Sequence, residues 1–203
     1  MPKKLAAILF PQFELLDLAG PLEMLGSLRD QVEVVTVAEH AGPVTSTQGV
    51  TLSAQHSFAA CPAVDWVLLP GGFGTFAQGQ NAAMLEFLRR VCPPAEQVMT
   101  VCSGSGLLAR TGLLDGRRAT TNKAYFAQCS GEGPAVNWVK EARWVEDGSY
   151  ATSSGVSAGI DMALAVIAKH FGPATAEQLA LMTEYEWHKD PGWDPFAKAH
   201  GLV

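Results

Sequence analysis

Short, uninterrupted apolar runs recur along this 203-residue chain, and segments with helical spacing lie between them. The run Lys4–Phe10 is apolar at every position from Leu5 onward. A strand with one wet face would alternate, so this pattern predicts a strand covered on both sides. Val32–Ala38, Asp65–Leu69 and Gln97–Val101 are further strands, and Asp65–Leu69 ends in Pro70-Gly71-Gly72. Phe13–Leu28 carries apolar residues at helical spacing with Gly20-Pro21 inside it. Proline suits a first helical turn, so the main helix is expected from Pro21, with Glu14–Ala19 as an irregular lead-in. Asn81–Val91 places Met84, Leu85, Leu88 and Val91 on one helical face. Val44–Ser53 reads as a small hairpin or excursion, and Trp144–Tyr150 as a hairpin around Asp147-Gly148. Ala158–Phe171 and Ala174–Trp187 read as two amphipathic helices separated at Gly172-Pro173. Parallel strands need crossovers and the helices supply them, so the expected class is α/β with a mostly parallel sheet.

The chain length predicts one domain, 1–203, with roughly 70% of the chain's surface buried on folding. Residues 188–203, rich in aromatic, charged and proline residues, read as a C-terminal tail that wraps the domain or a partner subunit. The alternative is that Trp187 or Trp193 walls a pocket. Fourteen Lys and Arg face twenty Asp and Glu, for a net charge of -6. That balance argues against a phosphate backbone as partner, so no nucleic acid is expected. The apolar run Leu5–Phe10 stops at Pro11, too short for a signal peptide's apolar region, and no stretch approaches the ~20 apolar residues of a membrane span. A cytoplasmic protein with no membrane partner is expected. The four cysteines show no C-x-x-C spacing, so neither a metal site nor a disulfide framework is expected.

Cys102 is the most informative position. It joins a buried strand to a helix-like segment through Ser103, Gly104, Ser105 and Gly106. Small residues permit a sharp strand-to-helix turn that lifts one side chain to the sheet's carboxyl edge, a cysteine nucleophile elbow. A thiol facing a helix N-terminus gains stabilisation of its anion, so Cys102 is expected to be the most reactive of the four, with a pKa below ~8.5. A cysteine that merely packs is the alternative; Cys61, Cys92 and Cys129 are read that way. Gly71 and Gly72, at another strand end, can present N–H groups to a developing anion together with the Ser103 N–H, although an ordinary tight turn would look the same. Asp17 sits among Leu15, Leu16 and Leu18, where a carboxyl group holds its proton to higher pH and can act as an acid. A helix N-cap or solvent-facing acid is the other reading.

The segments LFPQFELLDLAGP, LLPGGFGT, VCSGSGLLARTGLLDGRRATT and SSGVSAGIDMAL occur in the order and at the spacings of the ThiJ/PfpI superfamily. The chain resembles that superfamily over roughly residues 5–185, and aspartate rather than glutamate at position 17 resembles its isocyanide hydratase branch. The resemblance implies a flavodoxin-like three-layer sandwich, a reactive Cys102 with Asp17 as acidic partner, and an oxyanion pocket from Gly72 and Ser103. It also implies a homodimer. Two departures narrow the activity. PfpI-type peptidases carry histidine directly after the nucleophile, where this chain has Ser103. Other relatives read T-T-H where this chain has Thr120-Thr121-Asn122, so Asn122 is open between a structural role and a substrate contact. The five histidines (His40, His56, His170, His188, His200) fall elsewhere in the pattern.

The expected function is therefore hydration of isocyanides through a Cys102 thioimidate, with Asp17 as general acid, a small-molecule substrate and no cofactor. Peptidase and glyoxalase activity are not expected. The alternative is a regulator or oxidative-stress sensor acting through Cys102. Similar segments occur in regulators that add a helix-turn-helix module, for which a chain ending at Val203 has no room.

Overall fold

In the computed structural model, which describes Met1–Val203, β1 (Lys3–Ile8) is followed by α1 (Leu15–Gly26) and β2 (Val32–Ala38). The excursion β3 (Gly42–Thr45) and β4 (Thr51–Ala54) leads to the short β5 (His56–Ser57). β6 (Trp66–Leu69) leads through α2 (Gly74–Gln78) and α3 (Ala82–Val91) to β7 (Gln97–Thr100), which enters α4 (Gly104–Ala109). After β8 (Arg118–Ala119), α5 (Phe126–Gly131) and β9 (Asn137–Trp138) come the hairpin β10 (Trp144–Asp147) and β11 (Tyr150–Ser153). The chain ends with α6 (Ala158–Phe171), α7 (Pro173–Met182) and α8 (Pro195–Ala199). No helix is long and apolar enough to cross a membrane.

The main sheet has the order β10-β11-β7-β6-β1-β2-β5, and every neighbouring pair is parallel except β10 with β11. This is the α/β fold with a mostly parallel sheet that the alternation predicts. The chain moves outward from β1 to β2 and β5, then returns to lay β6 on the other side of β1. Right-handed crossovers running in opposite directions put α1 and α3 on opposite faces of the sheet. The carboxyl ends of β1 and β6 thus flank a topological switch point, where open α/β sheets bind ligands.

Two helix boundaries differ from the sequence reading. α1 begins at Leu15, not near Pro21, and Pro21 lies inside it. The start is fixed from outside the helix. Leu15 N–H donates to Gln48 Oε1 (3.0 Å), Gln48 Nε2 donates to Glu14 Oε1 (2.6 Å), and Glu14 N–H donates to Gly71 O (2.8 Å). These bonds satisfy donors that a helix N-terminus leaves open, so the helix forms ahead of its proline. Asp17 consequently sits in an ordered first turn. α7 ends at Met182, not Trp187: Glu184 takes a left-handed φ of 52° and Tyr185 N–H donates back to Ala180 O (2.9 Å). That is the Schellman pattern, which reverses a helix end whatever the residues beyond it.

The reversal delivers the tail to a buried anchor. Asp161, fully buried on α6, accepts from Arg143 Nη2 and Nε (2.6 Å each), from Tyr185 Oη (3.1 Å) and from His188 N–H (2.9 Å). Asp161→Ala is expected to destabilise the protein by about 3–5 kcal/mol, because it leaves the Arg143 charge buried and unpaired. Urea unfolding of the two proteins measures this; a loss under ~1 kcal/mol would mean that the network carries little.

Candidate active site

Three strand ends deliver the site. Val101 follows β7, and Cys102 then adopts φ 58°, the left-handed region that a non-glycine residue enters only when its surroundings fix it. The fixing bonds are visible. Cys102 N–H donates to Ser153 O and Ser154 O (3.3 and 3.1 Å), while Cys102 O accepts from Ser105 Oγ (3.0 Å) and Thr121 Oγ1 (2.9 Å). The turn leaves the residue 7% exposed. Asn122 Nδ2 donates to Cys102 Sγ (3.0 Å), and Asn122 Oδ1 accepts from Tyr125 N–H (3.1 Å), which fixes the amide's orientation.

Asp17 approaches from α1 and is wholly buried. Gly71 N–H donates to its Oδ2 (2.9 Å), whereas Oδ1 has no hydrogen-bond partner in the protein. Gly71 is the hinge of the arrangement. A Cβ there would lie 2.7 Å from Ser103 N, 2.8 Å from Asp17 Oδ2 and 2.8 Å from Cys102 Cβ. The carboxyl group, the thiol side chain and one backbone donor therefore converge on a point that only a hydrogen atom can share. Gly71→Ala is expected to push these groups apart and lower turnover by ~10²-fold, the size of effect that a misplacement of ~1 Å produces. Steady-state kinetics on the folded variant tests this, and near-native rates would show that the three groups need not converge.

The electrostatics run against one expectation. Burial pushes the Cys102 thiol up, and the Asp17 charge pushes it further, while the Ser103 N–H and the Asn122 amide pull it down. A helix N-terminus acting alone would lower the value, as the position of Cys102 in the sequence predicts. α4 has only six residues and the thiol is buried, so desolvation outweighs the helix's contribution. Burial likewise raises Asp17 to about 8, with the Gly71 N–H opposing and Glu14 adding to the rise. Below that pH the carboxyl holds its proton. The other thiols are also raised by burial, Cys92 to about 12. Cys61 is the most accessible of the four, so simple alkylation would report accessibility before chemistry.

The glycine pair also differs from expectation. The Gly71 N–H is engaged by Asp17, and the Gly72 N–H donates to Ser103 Oγ (3.1 Å), which also accepts from Thr75 Oγ1 (3.0 Å). Gly72 serves the backbone instead: at φ 120° any Cβ would strike Glu14 N at 2.4 Å. The donors left beside the thiol are Ser103 N–H and Asn122 Nδ2. No histidine bonds the thiol. No group of three or more His, Cys, Asp or Glu side chains converges to hold a metal ion.

Sequence reasoning missed Lys123, directly after Asn122. It is buried and donates to Thr120 Oγ1 (2.7 Å) and Ala142 O (2.6 Å), with Asp194 of the tail 3.8 Å away. A cavity of about 240 Å³ opens beside Asn122, and Phe196 and His200 are among its lining residues. These two tail residues line it, not Trp187 or Trp193. The tail thus packs on its own chain.

A mostly parallel sheet with a buried thiol at a left-handed strand-to-helix turn defines a class, and the chain belongs to the DJ-1/PfpI family, whose profile matches residues 3–169. It is 39% identical over 185 residues to isonitrile hydratase of Pseudomonas putida, covering 91% of this chain and 79% of that protein. A crystal structure of a ThiJ/PfpI family protein from Pseudomonas syringae superposes with a TM-score of 0.85 at 34% identity, covering 92% of this chain and 76% of that one. The HTH-type transcriptional regulator GbdR of Pseudomonas aeruginosa is 27% identical over 190 residues, which is 91% of this chain but only 51% of the regulator.

Proposed function

We propose that the protein is a cysteine-dependent enzyme that hydrates isocyanides to N-substituted formamides. The observation that carries this reading is the pairing, across the bare backbone of Gly71, of the buried Cys102 thiol with a carboxyl group that keeps its proton to about pH 8. The similarity to an isonitrile hydratase supports the choice of substrate.

In this reading the sulfur of Cys102 bonds to the terminal isocyanide carbon as Asp17 delivers its proton to that same carbon. The thiol proton returns to the Asp17 carboxylate, so S–H has added across one carbon and a thioimidate is left. Ser103 N–H and Asn122 Nδ2 steady the sulfur while it carries negative charge. Water then adds to the thioimidate carbon. Collapse breaks the C–S bond, a proton returns to sulfur, and the N-substituted formamide leaves. The sum is isocyanide plus water, and the scheme uses no metal and no organic cofactor.

Peptide hydrolysis needs a base for the nucleophile and an acid for the leaving amine, roles usually met by histidine. Ser103 and Asn122 stand where relatives carry one. The test is a side-by-side assay of an alkyl isocyanide, a casein-type substrate and methylglyoxal. Formamide production alone is expected. Turnover of methylglyoxal or peptide, abolished by Cys102→Ala, without consumption of the isocyanide would overturn the reading. The sensor alternative has the regulators of the family in its favour; it is separated from the enzyme by the same assay. We further read the protein as a cytoplasmic homodimer with a small-molecule substrate. Four free cysteines suit a reducing compartment, and the family resemblance supports the dimer.

A further inference from the structure

The tail after α7 is held to the domain along its length. His188 N–H is bound by Asp161, and Arg143 N–H donates to Pro191 O (2.8 Å). Asp194, 1% exposed, accepts from Phe196 N–H (3.0 Å) and turns its second oxygen towards Lys123. Beyond it, Ala197 is fully buried and Leu202 N–H donates to Ala197 O (3.0 Å). With Ala197 facing inward, Phe196 and His200, one helical turn apart, share another face of α8. That face lines the cavity beside Asn122, whose amide touches the thiol. The cavity's 240 Å³ is several times the ~30 Å³ share of one water, enough for an organic group of several carbons. Its walls combine the Phe196 ring and Val156 with Ser154 and Ser157.

We propose that this cavity receives the N-substituent of the isocyanide and that Phe196, supplied by the C-terminal tail, sets which substituents fit. The inference rests on the isocyanide reading for the identity of the substrate, but not for the existence of the pocket. An isocyanide is linear through nitrogen, so a terminal carbon held at Sγ directs the substituent away from the thiol, past the group that bonds it. Asn122 is that group, and it also lines the cavity. The buried pairing of Asp194 with Lys123 ties the tail to the residue next to Asn122, so the wall and the thiol's donor keep a fixed relation. Phe196 is itself 54% exposed and can be changed without emptying the core.

Two readouts test the proposal on the full-length protein. The first is kcat/KM for cyclohexyl relative to methyl isocyanide. The second is the rate at which Cys102 is modified by N-cyclohexylmaleimide relative to N-methylmaleimide, followed by peptide mass spectrometry, with Cys61 as internal reference. Phe196→Ala is expected to lower both ratios about tenfold, since losing apolar contact with a few carbons of a substituent is worth about that much. Trp193→Phe, on the same tail but off the cavity, should leave both ratios within twofold. Ratios unmoved by Phe196→Ala, or moved equally by Trp193→Phe, would overturn the proposal. If the native protein turns over no isocyanide while the maleimide ratio still depends on Phe196, the pocket stands and the isocyanide reading falls. If isocyanides are hydrated but neither ratio depends on Phe196, the reading stands and the pocket falls.

Discussion

Cys102→Ala is expected to reduce isocyanide turnover to the uncatalysed background while leaving the fold in place. The whole proposed route is covalent, so without sulfur Asp17 has a proton to give and no bond to accompany it. The fold should survive because the left-handed turn is fixed by bonds of the Cys102 main chain to Ser153 O, Ser154 O and the hydroxyls of Ser105 and Thr121, none of which involves the thiol. Loss of one sulfur from a nearly buried position destabilises by roughly 1 kcal/mol. Chromatographic assay of the formamide, with unfolding curves for both proteins, makes the measurement. A variant that retained a tenth of the native rate would remove Cys102 from the chemistry.

Asp17→Asn should lower kcat/KM by ~10²–10⁴-fold, the usual worth of a positioned acid, and at the same time make the protein more stable. The sign follows from linkage. Asp17 has a folded pKa of about 8, raised by burial, against ~3.9 when unfolded. Between those values the folded protein holds a proton that the unfolded chain has released. The stabilisation is complete below about pH 4 and is lost as pH rises towards about 8, by at most ~1.4 kcal/mol per pH unit. Asparagine is neutral throughout and its amide oxygen can still accept from the Gly71 N–H. Stability of the variant should therefore fall less steeply with pH across this window, and its advantage should be largest near pH 8. Urea unfolding at pH 5 and pH 8 tests this, and equal pH slopes for the two proteins would mean that Asp17 ionises normally. The same titration predicts that native turnover declines above about pH 8, as the acid loses its proton.

The strand order's raw material was legible because strands buried on both faces betray themselves by unbroken apolar runs, as in Leu5–Phe10 and Trp66–Leu69. What escaped was settled by partners remote in the chain. Pro21 argued for a helix start that Gln48 overrides. The helix N-terminus after Cys102 argued for a low thiol pKa, but only the folded depth of that thiol decides the balance. Gly71 and Gly72 were recognisable as turn residues, yet nothing local says that Asp17 and Ser103 occupy their N–H groups. Asn122 was open between two roles, and the structure puts its amide against sulfur. One missed feature did leave a trace. Asp161 is a lone acid within the apolar stretch of α6, a pattern that calls for a buried cationic partner, although only the fold names Arg143.

The capping of α1 by Gln48 gives the site a chronology. Leu15 and Gln48 are 33 residues apart, and Asp17 meets Gly71 across 54. Contacts that close such long loops bear the full entropy of closure before they return anything, so they tend to form late. In a refolding chain, most helical signal can be regained while the excursion Gly42–Ala54 is still undocked and the first turn of α1 is frayed. The proposed isocyanide turnover is then expected to return more slowly than the helical signal, a lag that parallel refolding curves followed by ellipticity and by formamide production would measure.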